Sequence, residues 1–198
     1  MQLFGGREPF AKKLDQLFTE KPGVSNESVA DMTGFIGQYV HGNEPSHHIT
    51  YLYTWAGQPW KTQEKVREIL LTHYRNDFDG LDGNEDCGQM SAWFAMSAMG
   101  LYAVDPVSAT YVLSAPLFKR LAIQLANGRQ LVIEAEGGED LQRDKYIQSV
   151  TLNGKALDRL WVRHEDIADG GNLVFKLGAE PNVKLGTTEG EMPPSLTA

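Results

Sequence analysis

Apolar residues recur with a helical period through the first hundred positions. Phe10, Leu14, Leu17 and Phe18 fall at the i, i+4, i+7, i+8 spacing of one stripe, with Lys12, Lys13, Asp15 and Gln16 opposite. That pattern predicts an amphipathic helix opened by Pro9 and ended by Lys21-Pro22-Gly23. A polar, glycine-bearing connection of about twenty residues follows, and the aromatics interleaved toward its end predict an ordered segment. From Pro45-Ser46 to Gly57, Ile49, Tyr51, Leu52, Tyr53, Trp55 and Ala56 are apolar or aromatic on most faces and predict a second, buried helix. A third, from about Trp60 to Tyr74, carries Val66, Ile69, Leu70 and His73 as its stripe, with Lys61, Glu64, Lys65, Arg67 and Glu68 toward solvent. In the fourth, Met90, Ala92, Trp93, Phe94, Ala95, Met96, Ala98 and Met99 are apolar on every side up to Gly100, as in a helix buried all round. Amphipathic and buried helices thus alternate, as they do when antiparallel hairpins stand side by side in an outer and an inner layer.

After Tyr102 the period shortens. Asp105-Pro106 breaks the helix, and Tyr111–Leu113, Leu121–Leu125, Gln130–Glu134, Tyr146–Leu152, Arg159–Val162 and Asn172–Leu177 read as short strands. Asn127-Gly128 and Asn153-Gly154 lie between strand-like runs, the strongest short-range hairpin signal, so the second half is expected to be an antiparallel β-domain of sandwich type. The boundary falls near residue 105, and the stretch from Gly186, with Pro193-Pro194 and little apolar content, is expected to be a poorly ordered tail.

With 198 residues and 41% hydrophobic content the chain is long enough to bury a core. A net charge of −8 argues against nucleic acid and anionic membrane as partners and is compatible with a neutral ligand such as a sugar, or with a cation. The single cysteine, Cys87, permits no internal disulfide. No run approaches the ~18 apolar residues of a membrane span, and no apolar core follows a basic start as in a signal peptide. If the parent protein is exported, its signal lies outside this sequence.

The densest chemistry is Gly80-Leu-Asp-Gly-Asn-Glu-Asp-Cys-Gly-Gln-Met-Ser-Ala-Trp93, which brings Asp82, Glu85 and Asp86 beside Asn84 and Gln89 at the expected start of the fourth helix. Unpaired N–H groups and the helix dipole favour an ionised carboxylate there, which suits a general base or a metal ligand; simple N-capping is the structural alternative. A second loop repeats the tripeptide: Gly42-Asn43-Glu44 precedes the second helix as Gly83-Asn84-Glu85 precedes the fourth. Two buried helices that start at the same end would bring these loops together in one polar pit.

The strings His41-Gly-Asn-Glu-Pro-Ser-His-His48, Gly57-Gln-Pro-Trp-Lys61 and Gly83-Asn-Glu-Asp-Cys-Gly-Gln-Met-Ser-Ala-Trp93, with Ser97-Ala-Met-Gly100, Ser114–Phe118, Tyr146–Gly154 and His164, resemble the C-terminal region of the glycoside hydrolase family 92 α-mannosidases. The resemblance covers nearly the whole chain. It implies an α+β chain in which residues 1–105 are four helices of an (α/α)6 toroid, 106–185 the antiparallel β-domain and 186–198 a flexible tail. It also implies a calcium-dependent, exo-acting, inverting mannosidase acting on terminal α-mannosides of glycans, α-1,2-linked ones foremost, in a bacterial protein that is periplasmic or extracellular. No nucleic acid or membrane insertion is implied.

Inversion needs an acid and a base on opposite faces of the sugar, roughly 6.5–9.5 Å apart, with a water between base and anomeric carbon. Asp86 is the candidate base; Glu85 is the alternative, unless its side chain turns back to cap the helix. Asn43 and Glu44 are the candidate calcium ligands, because calcium takes carboxylate and amide oxygens rather than imidazole. His47, His48, Asn84 and Gln89 are candidates for binding sugar hydroxyls. Zinc lacks a third ligand at ordinary spacing. Trp55, Trp60 and Trp93 can stack on sugar or belong to the core. Under the resemblance the general acid lies upstream of Met1 and the chain is the C-terminal portion of a larger enzyme, inactive without its N-terminal part. The competing class is a non-catalytic carbohydrate-binding or interaction module.

Overall fold

The computed structural model of the protein describes residues 1–23 and 32–195; the middle of the connection after the first helix, 24–31, and residues 196–198 lie outside the described residues. α1 spans Arg7–Thr19 and buries Ala11, Leu14 and Phe18 along one face. The chain then forms a tight hairpin of β1 (Phe35–Ile36) and β2 (Tyr39–Val40), which the sequence pattern did not predict because each strand has only two residues. Gln38 N–H caps the Leu17 carbonyl at 2.7 Å, so the hairpin is docked on α1.

The expected second helix is real but is not an α-helix. Two 3-10 segments, Glu44–Ser46 and Ile49–Thr54, take its place. β-branched Ile49, Thr50 and Thr54 and the aromatics Tyr51 and Tyr53 disfavour a regular α-helix in this stretch. Tyr51, Tyr53, Thr50 and Thr54 are buried, as the apolar pattern requires. α2 (Pro59–Thr72) turns Val66, Ile69 and Leu70 inward. α3 (Gln89–Met99) ends on Gly100 in the left-handed conformation, which only glycine adopts without cost.

α3 corrects one expectation. Met90, Trp93, Ser97 and Ala98 are buried, but Ser91, Ala92 and Ala95 are exposed, so within the described residues this helix is covered on one side only. The open side carries the small residues Ser91, Ala92 and Ala95.

The β-region contains two sheets. A three-stranded sheet orders β3 (Leu101–Tyr102), β4 (Thr110–Leu113) and β9 (Trp161–Arg163). A five-stranded sheet orders β5 (Arg120–Gln124), β6 (Gln130–Glu136), β10 (Gly171–Gly178), β7 (Tyr146–Leu152) and β8 (Lys155–Leu157). Between β9 and β10 lies the one-turn helix α4 (His164–Ile167). The expected all-antiparallel arrangement fails at one pair: β10 inserts between β6 and β7 and runs parallel to β6, with Leu173 opposite Ile133 and Phe175 opposite Ala135. A strand with neighbours on both edges is buried on alternate positions, and Leu173 and Phe175 are fully buried. Asn153 (φ 52°) and Gly154 (φ 77°) form the two-residue turn joining Leu152 to Lys155, as their sequence predicts. Leu101, Leu113 and Val162 from one sheet and Ile133, Ile147 and Phe175 from the other share one core.

The helical and β regions are packed together. Val112 of β4 sits in the helical core, and Gln63 of α2 accepts the Ile147 N–H at 2.9 Å. Arg67 is 2% exposed and, among the described residues, makes no ion pair; its guanidinium donates to the carbonyls of Ala115, Pro116 and Leu141. Beyond Gly186, where the sequence predicts a loose tail, residues up to 195 lie against the fold: Glu189–Glu191 form a helical turn, Met192 is buried, and the Trp161 and Trp55 indoles donate to the carbonyls of Glu191 and Pro194.

Candidate active site

The two Gly-Asn-Glu loops meet, as their repetition suggests. Gly42 N–H donates to the Thr33 carbonyl at 3.1 Å, and a methyl group on Gly42 would collide with Thr33 Oγ1 and stand 2.7 Å from the Asp82 carbonyl oxygen. A methyl on Gly83 would come 2.9 Å from the Gly42 carbonyl oxygen, and Gly83 also holds φ at 82°. Only glycine at both positions permits this approach. Asn43 and Glu44 therefore leave the same junction as Asn84, Glu85 and Asp86.

The acids do not occupy the first helical turn, as the sequence suggests, but the loop that delivers it. Asp86 (φ 49°), Cys87 (φ 57°) and the N-cap Gly88 (φ 96°) are three successive left-handed residues that reverse the chain into α3. Asp tolerates this region better than most residues, whereas Cys87 carries a local strain of the kind that collects at functional loops. Glu85 turns back: its Oε1 accepts the Ser91 N–H at 2.9 Å, and hydrogen bonds from Ser91 hold its carboxyl below the ordinary value. The Glu85 side chain is thereby used as a cap. Asp86 is exposed, and only its backbone carbonyl takes part in the helix start, accepting from Gln89 N–H at 3.2 Å. Asp82 is anchored by His73 Nδ1 and lies 3.8 Å from the Arg75 guanidinium.

Under this junction lies a buried polar chain. His41 is fully buried, with Tyr39 Oη 3.0 Å from its Nδ1 and Tyr74 Oη 2.8 Å from its Nε2. Tyr74 donates its own proton to the Met90 carbonyl at 3.1 Å, so His41 Nε2 must donate to Tyr74, and Nδ1 accepts from Tyr39. One tautomer of a neutral imidazole satisfies the whole chain. Burial, with smaller contributions from His47 and His73, lowers the His41 pKa to about 2. The sequence reading left His41 without a role although it heads the quoted string; Tyr39, Tyr74 and Thr33 carried no signal.

This histidine has a consequence for stability. Its folded pKa lies below its unfolded value, so the unfolded chain binds a proton that the folded chain refuses. Stability is complete above about pH 6.5 and is lost as pH falls toward the folded pKa, at about 1.4 kcal/mol per pH unit for one such group. Denaturant midpoints are expected to fall measurably between about pH 7 and pH 5; a flat profile would contradict the buried neutral assignment.

His47 and His48, adjacent in sequence, part company. His48 is exposed, while His47 is 1% exposed and spends both ring nitrogens inside the protein. Its Nε2 donates to the His41 carbonyl at 2.9 Å, and its Nδ1 lies 3.2 Å from the Gln89 amide nitrogen. His47 is therefore removed from the surface on which a sugar hydroxyl would be met. Asn84 is exposed beside Asp86.

The chemistry of the donors fits a hard cation in one respect. Among the described residues, Glu44 Oε1 is buried without a hydrogen-bond partner, and so is Thr33 Oγ1 at the same junction. A buried carboxylate oxygen left unpaired is costly, and a cation satisfies it. Among the described residues no three His, Cys, Asp or Glu side chains form a metal-binding group, so a cation beside Glu44 would rely on amide, carbonyl, hydroxyl or water oxygens for the rest of its shell.

Of the three tryptophans that the sequence offers for stacking on sugar, Trp93 is fully buried: it lies parallel to Tyr74 at 6.0 Å between ring centres, edge-on to His41 at 4.5 Å, and donates its indole N–H to the His47 carbonyl at 3.1 Å. Trp55 and Trp60 are half-buried.

Comparison with known proteins places the chain in a family. The model of the glycosyl hydrolase family 92 catalytic domain matches residues 1–179. A protein of the fungus Arthroderma benhamiae named an uncharacterized secreted glycosidase is 30% identical over all of this chain, which spans 24% of that protein. The family GH92 α-mannosidase of Bacteroides thetaiotaomicron in complex with mannoimidazole superimposes with a TM-score of 0.91 at 37% identity, over 96% of this chain and 25% of that one. A family GH92 inverting mannosidase from the same bacterium gives 0.84 at 35% identity, over all of this chain and 28% of its own. The chain thus spans about a quarter of the length of these relatives.

Proposed function

The chain belongs to glycosyl hydrolase family 92, and from that premise we propose that it contributes the base and metal-binding flank of an exo-acting α-mannosidase that inverts the anomeric centre. The observation that carries the reading is the glycine-on-glycine junction, which brings the backbones of the two loops that carry Asn43, Glu44, Asn84 and Asp86 into close approach. A capping role alone would account for Glu85 but not for the repetition of the tripeptide at a shared contact.

In this reading Asp86 is the general base. It takes a proton from a water that attacks the anomeric carbon on the face opposite the leaving group, and the product is released as the β-anomer. Its exposure to solvent suits a carboxylate that must stay ionised and reach a water. No carboxyl of this chain is assigned as the general acid. Asn43 and Glu44 would hold a calcium ion, which, when bound, supplies a fixed positive charge that orients oxygen ligands. His48, Asn84 and Gln89 are the groups offered to sugar hydroxyls in this reading. The substrate is a terminal α-mannoside of a glycan, with the α-1,2 linkage the first to test, and a secreted location follows the naming of the fungal relative.

The test is hydrolysis of α-1,2-mannobiose by a polypeptide of the relatives' length, followed by NMR. β-Mannose released first supports inversion; α-mannose first, or no hydrolysis, overturns the reading. Glu44→Gln should raise the calcium concentration needed for activity after chelation, because removal of an anionic ligand weakens a hard-cation site. An unchanged calcium titration would remove Glu44 from that role.

A further inference from the structure

His47 and Gln89 form a pair whose geometry is dictated from behind. A carbonyl oxygen only accepts, so the 2.9 Å contact between His47 Nε2 and the His41 carbonyl places the imidazole proton on Nε2. Nδ1 is then an acceptor, and the Gln89 amide 3.2 Å away must present its nitrogen. That contact uses the nitrogen, so Oε1 is the end that can accept from a ligand. Gln89 opens α3 three residues after Asp86, and its own N–H closes on the Asp86 carbonyl. In the reading given above, an acceptor fixed there stands beside the proposed base, where the mannosyl unit would lie.

Resting on the reading of the site given above, we infer that His47 is a positioning residue: it locks the Gln89 amide with Oε1 toward the substrate, where Gln89 accepts a hydrogen bond from one ring hydroxyl of the mannosyl unit. His47 never touches the sugar. Its neighbours agree with a fixed part: the His41 ring lies 4.8 Å away, and the Trp93 indole holds its carbonyl. An amide free to flip would offer its NH2 half the time, and a hydroxyl would then have to serve as acceptor; the buried imidazole removes that ambiguity.

Two substitutions separate positioning from mere packing. Asparagine at 47 puts its oxygen where Nδ1 stands and keeps an acceptor for Gln89; glutamine puts its amide nitrogen where Nε2 stands and keeps only the donor to His41. In a polypeptide of the relatives' length, with an aryl α-mannoside as substrate, Gln89→Ala and His47→Gln should each lower kcat/KM about tenfold, largely through KM, the worth of one neutral hydrogen bond. His47→Asn should recover most of the loss. Melting temperatures should not follow this order. The double variant His47→Gln/Gln89→Ala should be no worse than Gln89→Ala alone, because both remove one interaction. A panel of monodeoxy aryl mannosides should contain one member that costs the wild type about tenfold and costs the Gln89→Ala and His47→Gln variants nothing further. Equal losses in the two His47 variants, or losses that multiply in the double variant, would overturn the inference. Absence of turnover in the wild type would instead fall on the proposed reaction, and calorimetric binding of methyl α-mannoside would then carry the same comparison of variants, with the same pattern expected and the same one overturning it.

Discussion

Asp86→Asn, made in a polypeptide of the relatives' length, is expected to lower kcat by on the order of 10²–10⁴ with little change in fold or sugar affinity, the usual worth of a positioned acid–base group. The structural half of this expectation rests on the backbone. Asp86 holds φ at 49°, and asparagine is the one other side chain that enters the left-handed region as readily. The amide is also nearly isosteric with the carboxyl, so the reversal through Cys87 and Gly88 into α3 is retained, and circular dichroism and melting should match the wild type. What is lost is the ability to take a proton from water. Stopped assays over a range of substrate concentrations separate kcat from KM; turnover near normal would remove Asp86 from the reaction. Glu85 would then have to be reconsidered, although its Oε1 is already engaged by the Ser91 N–H. For Glu85→Gln the expectation is mainly a loosened start of α3.

How far the sequence alone reached can be read from particular residues. Helices whose apolar stripe repeats over several turns were legible: Leu14 and Phe18 of α1 and Val66, Ile69 and Leu70 of α2 are buried where their period places them. Turns with a specific backbone demand were legible too, as at Asn153-Gly154. The stretch Ile49–Thr54 was recognised as buried but not as 3-10, because an apolar run on most faces carries no information about the pitch of the coil. β10 was seen as a strand, yet nothing in Asn172–Leu177 shows that it inserts between β6 and β7, since parallel pairing is set by long-range connection rather than by local composition. At the site, two copies of Gly-Asn-Glu were enough to anticipate a junction, because glycine marks close approach. The separation of His47 from His48 was not legible: adjacent residues in a tight coil point in different directions, and only the positions of the His41 carbonyl and Gln89 decide which one is spent internally. His41 itself is held between Tyr39, two residues before it, and Tyr74, 33 residues after it, and the second of these contacts is a product of the tertiary fold.

The largest effect on stability is expected at Trp93, the residue on which the helical core and the candidate site both lean. Trp93 is fully buried, and truncation to alanine removes a side chain whose loss from a core costs on the order of 3–5 kcal/mol. More than volume is at stake. The indole lies against Tyr74 and His41 and donates to the His47 carbonyl, so the cavity would open directly beneath the chain Tyr39–His41–Tyr74 and beside the His47–Gln89 pair. Trp93→Phe distinguishes the two contributions. Phenylalanine fills much of the space but leaves the His47 carbonyl without its donor, for which about 1–3 kcal/mol is the expected cost. If Trp93 is a scaffold residue, Trp93→Phe should destabilise less than Trp93→Ala in urea unfolding and should weaken sugar affinity in step with any disturbance of Gln89. If instead Trp93 met the sugar directly, both variants would keep their stability and lose affinity, an outcome that its complete burial argues against and that paired unfolding and binding curves would reveal.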